Sequence, residues 1–237
     1  MRKYLAELIG TFFLVLTVGI TVTKMNGLAP LAIGGVLMVM VYAGGHVSGG
    51  HFNPAVTLAA LVRGVISAVD AAAYVVAQVV GGILAALVAG FVARPPSSAT
   101  LSLSGRPLAV ALVVEALFTF ALAYVVLNVA TSKDNEDNSF YGLAIGGTVM
   151  VGAVAVGGVS GGVFNPAVAV GGAVLGLFAW SSIWVYLLAN AVGGAAAGVV
   201  FLALNADDRP GARRADTAAS TPAPSGAGIA GPASTQP

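Results

Sequence analysis

The chain repeats itself at a fixed distance of 112 residues. The sequence VSGGHFNPAV returns as VSGGVFNPAV, so that the tripeptide beginning at Asn53 recurs at Asn165. The same offset carries the sequence LAIGG from 31–35 to 143–147. Such a chain is a duplicated unit, and each copy carries one polar motif inside an apolar segment. We therefore expect two related halves that meet around a site built from both motifs.

The composition indicates a lipid environment. Hydrophobic residues make up 58% of the chain and charged residues only 8%, whereas soluble domains have about 25% charged residues. The chain has no cysteine, which excludes a disulfide framework and thiolate chemistry. The net charge of +1 gives no indication of a nucleic-acid partner. The first apolar stretch follows Arg2 and Lys3 without a clear cleavage site, so we interpret it as a retained span and not as a signal peptide.

Six apolar stretches have about the 20 residues that a helix needs to cross a membrane. We place them at about 4–23, 28–45, 68–93, 108–130, 140–157 and 180–204.

Two further apolar stretches, 54–62 and 166–175, are too short to span. A helix of about nine residues covers ~14 Å, so each must enter the membrane and return on the same side. Non-helical backbone is tolerated at that depth only where it is buried or faces water, so the loops 49–52 and 161–164 are predicted to line an aqueous path. The predicted fold class is an all-α membrane protein with six transmembrane helices and two re-entrant half-helices in an inverted repeat.

The number of spans also predicts the topology. Three spans per unit is an odd number, so the second unit (about 101–205) is inverted relative to the first (about 1–100), and the short helices meet end to end near the midplane. Lysine and arginine are more frequent on the side of the termini, which indicates that both termini are cytoplasmic. That side has Arg2, Lys3, Arg63, Lys133, Arg209, Arg213 and Arg214, and the other side has Lys24, Arg94 and Arg106.

The end of the chain has a different composition. The segment 206–237 is rich in Ala, Pro, Ser, Thr and Gly and has no apolar periodicity, so we expect a disordered cytoplasmic tail. Its arginines, Arg209, Arg213 and Arg214, either contact anionic lipid or act as a topology signal on a solvated tail, and we prefer the second interpretation.

The tripeptides Asn53-Pro54-Ala55 and Asn165-Pro166-Ala167 have the composition of a helix start. Asparagine is a favoured N-cap, and proline suits the first helical position because that N–H needs no partner. The side-chain amides then offer N–H donors to the lumen, and two facing helix N-termini concentrate positive potential there. Cations, including hydronium, are repelled, whereas a neutral molecule with an oxygen acceptor is held briefly. One such tripeptide is an ordinary helix start, but two copies in phase with an inverted repeat indicate a pore.

At these residues the chain resembles the major intrinsic protein family, the aquaporins and aquaglyceroporins. The segment SGGHFNPAVT at 48–57 is similar to the family's first signature, and an ExxxTF motif beginning at Glu7 is echoed by one beginning at Glu115. The resemblance covers about residues 1–205. It implies an aquaporin-like channel domain over these residues, with six tilted helices and two half-helices around each pore, and usually a homotetramer.

Glu7 and Glu115 lie inside predicted spans, where a carboxylate suggests a function by default. The resemblance implies that they brace the backbone of the re-entrant loops. We prefer this role to a proton relay, because the spans contain no second series of titratable side chains.

His46 and His51 lie near the first tripeptide, but two histidines without carboxylate or cysteine partners make a poor metal site, and a gating role is equally disfavoured. His51 is expected to present its backbone carbonyl to the pore with its side chain packed behind.

Other loop carbonyls are expected to line the pore beside that of His51. The full set is Gly49, Gly50, His51, Phe52, Gly161, Val163 and Phe164.

The resemblance also implies a constriction of four residues, assigned here by their distances from the tripeptides to Ile33, Ala153, Gly162 and Val168. Val168 stands where the family usually has an arginine. Water channels usually have an aromatic residue at the position of Ile33 and histidine at that of Ala153, and glycerol facilitators usually have aspartate at that of Ala169. The chain therefore departs from both well-known filters. A small apolar ring should be wider than a water-only filter and should leave only backbone carbonyls to bond the solute.

We therefore expect a passive channel for water and small neutral solutes such as urea, ammonia, hydrogen peroxide or small polyols, with protons and ions excluded at the paired tripeptides. The alternatives are a narrower water-selective channel and a mainly structural membrane protein whose pore is dewetted by the apolar ring. Nothing in the sequence indicates an enzyme or a cofactor, and a lumen without charged pairs disfavours an ion-coupled transporter. We expect an integral protein of the cell membrane whose partners are the lipid bilayer, water and small solutes.

Overall fold

The computed structural model describes residues 1–94 and 100–209. Within these residues the chain forms eight α-helices: α1 (Arg2–Thr23), α2 (Ala29–Ser48), α3 (Pro54–Arg63), α4 (Ala68–Ala93), α5 (Gly105–Thr131), α6 (Tyr141–Ser160), α7 (Pro166–Leu175) and α8 (Ile183–Leu204). Three short 3₁₀-helices accompany them: Lys133–Asn135, Trp180–Ser182 and Ala206–Asp208.

Six of the helices, α1, α2, α4, α5, α6 and α8, have the length and apolar composition needed to cross a membrane. With the two short helices α3 and α7, of ten residues each, they confirm the predicted fold class. Some long helices extend further than predicted. α5 begins at Gly105 and not near 108, and α6 continues to Ser160 and not only to 157. The end of α6 is set by the backbone turn at Gly161, which hydropathy alone does not mark.

Both re-entrant loops leave a long helix by the same left-handed turn. Gly49 after α2 has a φ of 88°, and Gly161 after α6 has a φ of 97°. Glycine adopts such angles without a steric penalty. The loops end at Phe52 and Phe164, whose φ angles of 48° and 50° are uncommon for residues with a Cβ atom. The repeat in the sequence is therefore also a repeat in backbone conformation.

Each half-helix packs against a long helix of the other repeat. α3 lies against α8, and α7 lies against α4. A Cβ atom at Gly194 of α8 would overlap the backbone carbonyl oxygen of Ala55, and one at Gly82 of α4 would lie 2.9 Å from the carbonyl oxygen of Ala167. Contact this close between backbones requires glycine. The two repeats are thus interleaved, which brings both half-helices to the centre of the bundle.

The repeats also cross directly where α2 meets α6. A Cβ atom at Gly34 would lie 2.5 Å from the carbonyl oxygen of Gly146 and 2.8 Å from the Cβ of Met150. Gly34 and Gly146 occupy the same position in the two copies of the sequence. A contact between equivalent residues places this crossing on the pseudo-twofold axis of the inverted repeat.

The folded chain continues past the predicted start of the tail at 206. Ala206–Asp208 form a turn of 3₁₀-helix, and Asp208 is only 5% exposed. Apolar periodicity gives no sign of this order, because Asp208 is held by polar contacts to residues far away in the sequence. The predicted disorder of 210–237, including Arg213 and Arg214, lies outside the described residues.

Candidate functional site

The two asparagines are the N-caps of the half-helices. The side-chain oxygen of Asn53 accepts a hydrogen bond of 2.8 Å from the backbone N–H of Ala55. Asn165 accepts the equivalent bond of 2.9 Å from Ala167. The prolines between them occupy the first position of α3 and of α7. The local sequence explains this geometry, since asparagine satisfies an N–H group that the helix leaves free and proline has none to satisfy.

The remaining part of each asparagine side chain binds the opposite repeat. The amide of Asn53 donates a hydrogen bond of 2.8 Å to the carbonyl oxygen of Phe164. The amide of Asn165 donates one of 2.9 Å to the carbonyl oxygen of Phe52. These reciprocal bonds hold the N-termini of α3 and α7 end to end, so their positive dipole ends converge at the centre of the bundle.

A buried carboxylate supports the first re-entrant loop from behind. Glu7 of α1 accepts hydrogen bonds from the hydroxyl of Ser48 (2.7 Å), the backbone N–H of His51 (3.0 Å) and the backbone N–H of Phe52 (2.6 Å). The side-chain amide of Gln78 donates a fourth bond of 2.8 Å. Because Glu7 is fully buried, each of these donors compensates part of the cost of removing the carboxylate from water.

Glu115 has the same position behind the second loop. It accepts bonds from the hydroxyl of Ser160 (2.6 Å) and from the backbone N–H groups of Val163 (2.9 Å) and Phe164 (2.8 Å). The carboxylates thus engage the loop N–H groups on one side, and the asparagines of the opposite repeat engage the carbonyls of Phe52 and Phe164. The backbone of both loops is fixed on both edges.

Two tyrosines of the outer helices also contact the loops. The hydroxyl of Tyr74 donates a bond of 2.7 Å to the carbonyl of Ser48, and the hydroxyl of Tyr186 donates one of 2.7 Å to the carbonyl of Ser160. Neither tyrosine and neither serine was among the predicted site residues. The repeat does mark these residues, because Tyr74 recurs as Tyr186 and Ser48 recurs as Ser160 at the offset of 112 residues.

Behind the loops, the two repeats differ. Gln78 in the first repeat binds both Glu7 and the hydroxyl of Thr57, the second bond being 3.0 Å. The equivalent residue of the second repeat is Asn190, which accepts a bond of 2.9 Å from the hydroxyl of Thr119. Asparagine is one methylene shorter than glutamine, and Ala169 stands where the first repeat has Thr57. The polar network behind the first loop is therefore the more extensive one.

A cavity of about 500 Å³ enters the bundle on the side opposite to the termini and reaches Asn165. Its mouth is bordered by the turn between α1 and α2, including Met25 and Asn26. All four residues of the predicted constriction line it: Ile33, Ala153, Gly162 and Val168. The rest of the wall is largely apolar, with Leu14, Val18, Leu122, Val149 and Phe178 among its residues.

Two further cavities lie on the side of the termini. One of about 500 Å³ is lined by His46, Gly49 and the connection between α5 and α6, and one of about 310 Å³ is lined by Gly49 and His51. On the opposite side, Gly161 and Val163 line the first cavity. Gly50, Phe52 and Phe164 are not among the lining residues of these three cavities. The other four predicted carbonyl positions, Gly49, His51, Gly161 and Val163, are divided between the two ends of the bundle.

The imidazole of His51 contacts α3 and α4. Its Nδ1 atom lies 3.1 Å from the hydroxyl of Thr57, and its ring meets that of Tyr74 edge to face at 5.2 Å between centroids. Within residues 1–94 and 100–209, no group of three or more His, Cys, Asp or Glu side chains is arranged to hold a metal ion.

Comparison with known proteins extends these observations. The family model described as Major intrinsic protein matches residues 1–201. The chain is 42% identical over 217 residues to Glycerol uptake facilitator protein-like 6 of Lactiplantibacillus plantarum, a match that covers 88% of this chain and 100% of the relative. It is 38% identical over 206 residues to Aquaporin NIP1-4 of Oryza sativa subsp. japonica, covering 83% of this chain and 74% of the relative.

The fold is also similar to a solved structure, the X-ray structure of the aquaglyceroporin from Plasmodium falciparum. The TM-score is 0.71 at 22% sequence identity, with 84% of this chain and 94% of the other covered. At this identity the likeness concerns the fold. The family match and the sequence relatives show the family as well as the fold. They agree with the six apolar helices, which make this an integral membrane protein. The chain therefore belongs to the major intrinsic protein family, whose aquaporins and glycerol facilitators are channels and not enzymes.

Proposed function

We propose that the protein is a passive channel for water and small neutral solutes, such as urea, ammonia, hydrogen peroxide or small polyols, and that it excludes protons and other ions at the paired asparagines. The observation that carries this proposal is the end-to-end meeting of α3 and α7 through Asn53 and Asn165, at the inner end of a cavity of about 500 Å³. A site in that position acts on every molecule that crosses the bundle.

Ion exclusion follows from the electrostatics of this meeting point. Each helix N-terminus carries a partial charge of about +0.5, and α3 and α7 present these ends to each other. Each asparagine amide has two N–H groups, of which one is used by the bond to the opposite repeat. We assign the other to the lumen, where it donates to the oxygen of a permeating molecule. No acidic or basic side chain lines the described wall of the cavity, so a cation finds no compensating charge.

A broad solute range follows from the apolar lining. Val168 and Ile33 offer no side-chain hydrogen bond, and Ala153 and Gly162 occupy little space. A solute of the size of urea can therefore pass with one face against apolar side chains and the other against the backbone carbonyls of the second loop. We assign Glu7 and Glu115 the role of bracing the loops so that those carbonyls keep their positions.

The test is stopped-flow light scattering on proteoliposomes, with water, urea and glycerol compared at equal protein content. Ala153→Trp places a large side chain in the cavity and is expected to reduce all three permeabilities. Val151→Trp is the matched control, because Val151 lies two residues away on the same helix and is 63% exposed on the outer face.

The same measurement separates the alternatives. Passage of water without urea or glycerol would support a water-selective channel. Failure to pass any of the three would support a structural protein whose apolar cavity is dewetted, as hydrophobic constrictions can be.

We further propose a homotetramer in the cell membrane with both termini in the cytoplasm. The topology is supported by the excess of lysine and arginine on the side of the termini. Contact with lipid and neighbouring subunits is supported by large apolar side chains on the outer faces of the long helices, such as Phe91 and Val154, which are 82% and 71% exposed.

A further inference from the structure

The half-helix α3 ends in a buried ion pair. Its last residue, Arg63, is 5% exposed, and its guanidinium lies 3.4 Å from the carboxylate of Asp208, which is also 5% exposed. The same guanidinium donates hydrogen bonds to the backbone carbonyls of Asp208 and Thr131. It also lies 4.8 Å from the ring centroid of Phe201 in α8. An arginine so placed is fixed by several groups at once.

Asp208 has further polar partners besides Arg63. Its carboxylate accepts a bond of 2.8 Å from the hydroxyl of Ser132 and one of 3.2 Å from the backbone N–H of Lys133. Asp208 follows α8 in the chain, and Ser132 follows α5. The carboxylate therefore joins the ends of α8 and α5 to the end of α3.

The second half-helix is held in another way. Leu175 ends α7 at the position that Arg63 has in α3. Its side chain is 8% exposed and reaches Gly19 of α1 and Gly90 of α4, where Cβ atoms would lie 3.0 and 3.3 Å away. The end of α7 is thus held by apolar packing, whereas the end of α3 is held by an ion pair. The ion pair is a departure from the repeat, and the fold does not require it at the equivalent site.

We propose that Asp208, acting through Arg63, is a positioning residue for the pore face of the first half-helix. A helix of ten residues is about 15 Å long and behaves as one rigid body, so a shift at its last residue tilts its first. The first residue of α3 follows Asn53, whose amide bonds the opposite loop. Loss of the carboxylate leaves the buried charge of the Arg63 guanidinium without a counter-charge. The guanidinium then moves toward water, and the end of α3 moves with it. The inference rests on the proposed function, in which Asn53 faces the permeating molecule.

The test compares two full-length variants in proteoliposomes. Asp208→Asn keeps the size of the side chain and removes its charge. Arg63→Leu with Asp208→Leu removes both charges and gives the end of α3 the apolar character that Leu175 gives α7. Replacing both members of a buried ion pair by apolar residues is often neutral, whereas removing one is not. Lys133→Ala is the matched control, because the exposed Lys133 ammonium donates, among the described residues, only to the backbone carbonyl of Asp207.

The readout is the ratio of urea to water permeability together with the proton leak, for protein that elutes as a folded species. Asp208→Asn should change the ratio or the leak by threefold or more, the double variant should return both to within twofold of wild type, and Lys133→Ala should leave them unchanged. A folded Asp208→Asn protein with the wild-type ratio and leak overturns the inference, as does a folded double variant that does not restore them. If Asp208→Asn fails to fold, the double variant is the test: it must fold and have a permeability ratio and a proton leak within twofold of wild type. A wild-type protein that passes neither water nor urea would instead overturn the proposed function.

Discussion

The side-chain amide of Gln78 donates a hydrogen bond of 2.8 Å to the carboxylate of Glu7. In the second repeat, the equivalent Asn190 pairs with Thr119 at 2.9 Å, while Glu115 is bound by Ser160 and by loop N–H groups. The inverted repeat is therefore symmetric in its backbone but not in the polar network behind it. This difference allows one repeat to serve as the control for the other.

Gln78→Leu should destabilise the protein more than Asn190→Leu does. The first change removes a hydrogen bond to a carboxylate, worth about 1.5–3 kcal/mol, together with the bond to the Thr57 hydroxyl. The second change removes one bond between neutral groups, worth about 0.5–1.5 kcal/mol. Thermal unfolding of the two variants in the same detergent measures the difference. Equal losses would mean that Gln78 contributes no more than a neutral hydrogen bond.

Val168→Arg should lower the permeability to urea and glycerol more than that to water. Arginine is far larger than valine and adds five N–H donors at the wall of the cavity. Val168→Leu is the control for size, since it adds volume without donors, and it should have the smaller effect on the ratio of solute to water permeability. An unchanged ratio in folded Val168→Arg protein would show that residue 168 does not lie at the narrowest point.

Gly34→Ala should destabilise the protein by about 1–3 kcal/mol, the usual cost of overpacking. The added methyl group would lie 2.5 Å from the carbonyl oxygen of Gly146, so α2 and α6 must separate. The next residue provides the control, because a Cβ atom at Gly35 has no neighbour within 4 Å. Gly35→Ala is expected to be neutral or to stabilise by up to about 1 kcal/mol through its helix propensity. Thermal unfolding that ranks the two variants in the opposite order would contradict the crossing at Gly34.

The wild-type channel should carry no measurable proton, sodium or potassium current, although Val168 replaces the arginine that the family usually has. The converging N-termini of α3 and α7 supply positive potential without it. Recordings across planar bilayers that contain the purified protein test this, with protein-free bilayers as the control. A steady cation current that scales with the amount of protein would show that the half-helices alone do not exclude cations.

The architecture of this protein could be predicted from its amino-acid sequence. The offset between Asn53 and Asn165 indicated the duplication, apolar length indicated the six spans, and Asn-Pro marked the first residues of α3 and α7. These features are local, since a span depends on its own composition and an N-cap depends on residues two or three positions away. A local rule can be applied before the rest of the chain is placed.

Which polar groups meet could not be predicted in the same way, because it depends on how the helices pack. The amide of Asn53 binds Phe164, the carboxylate of Glu7 receives Gln78, and the end of the chain at Asp208 folds onto Arg63. The predicted tail at 206 began too early for the same reason, since the order of Asp208 depends on a partner 145 residues earlier. Composition describes each residue's own tendency to be buried or solvated. A buried polar side chain becomes favourable only when a specific distant partner compensates the loss of water, and that partner is chosen by the packing of the helices.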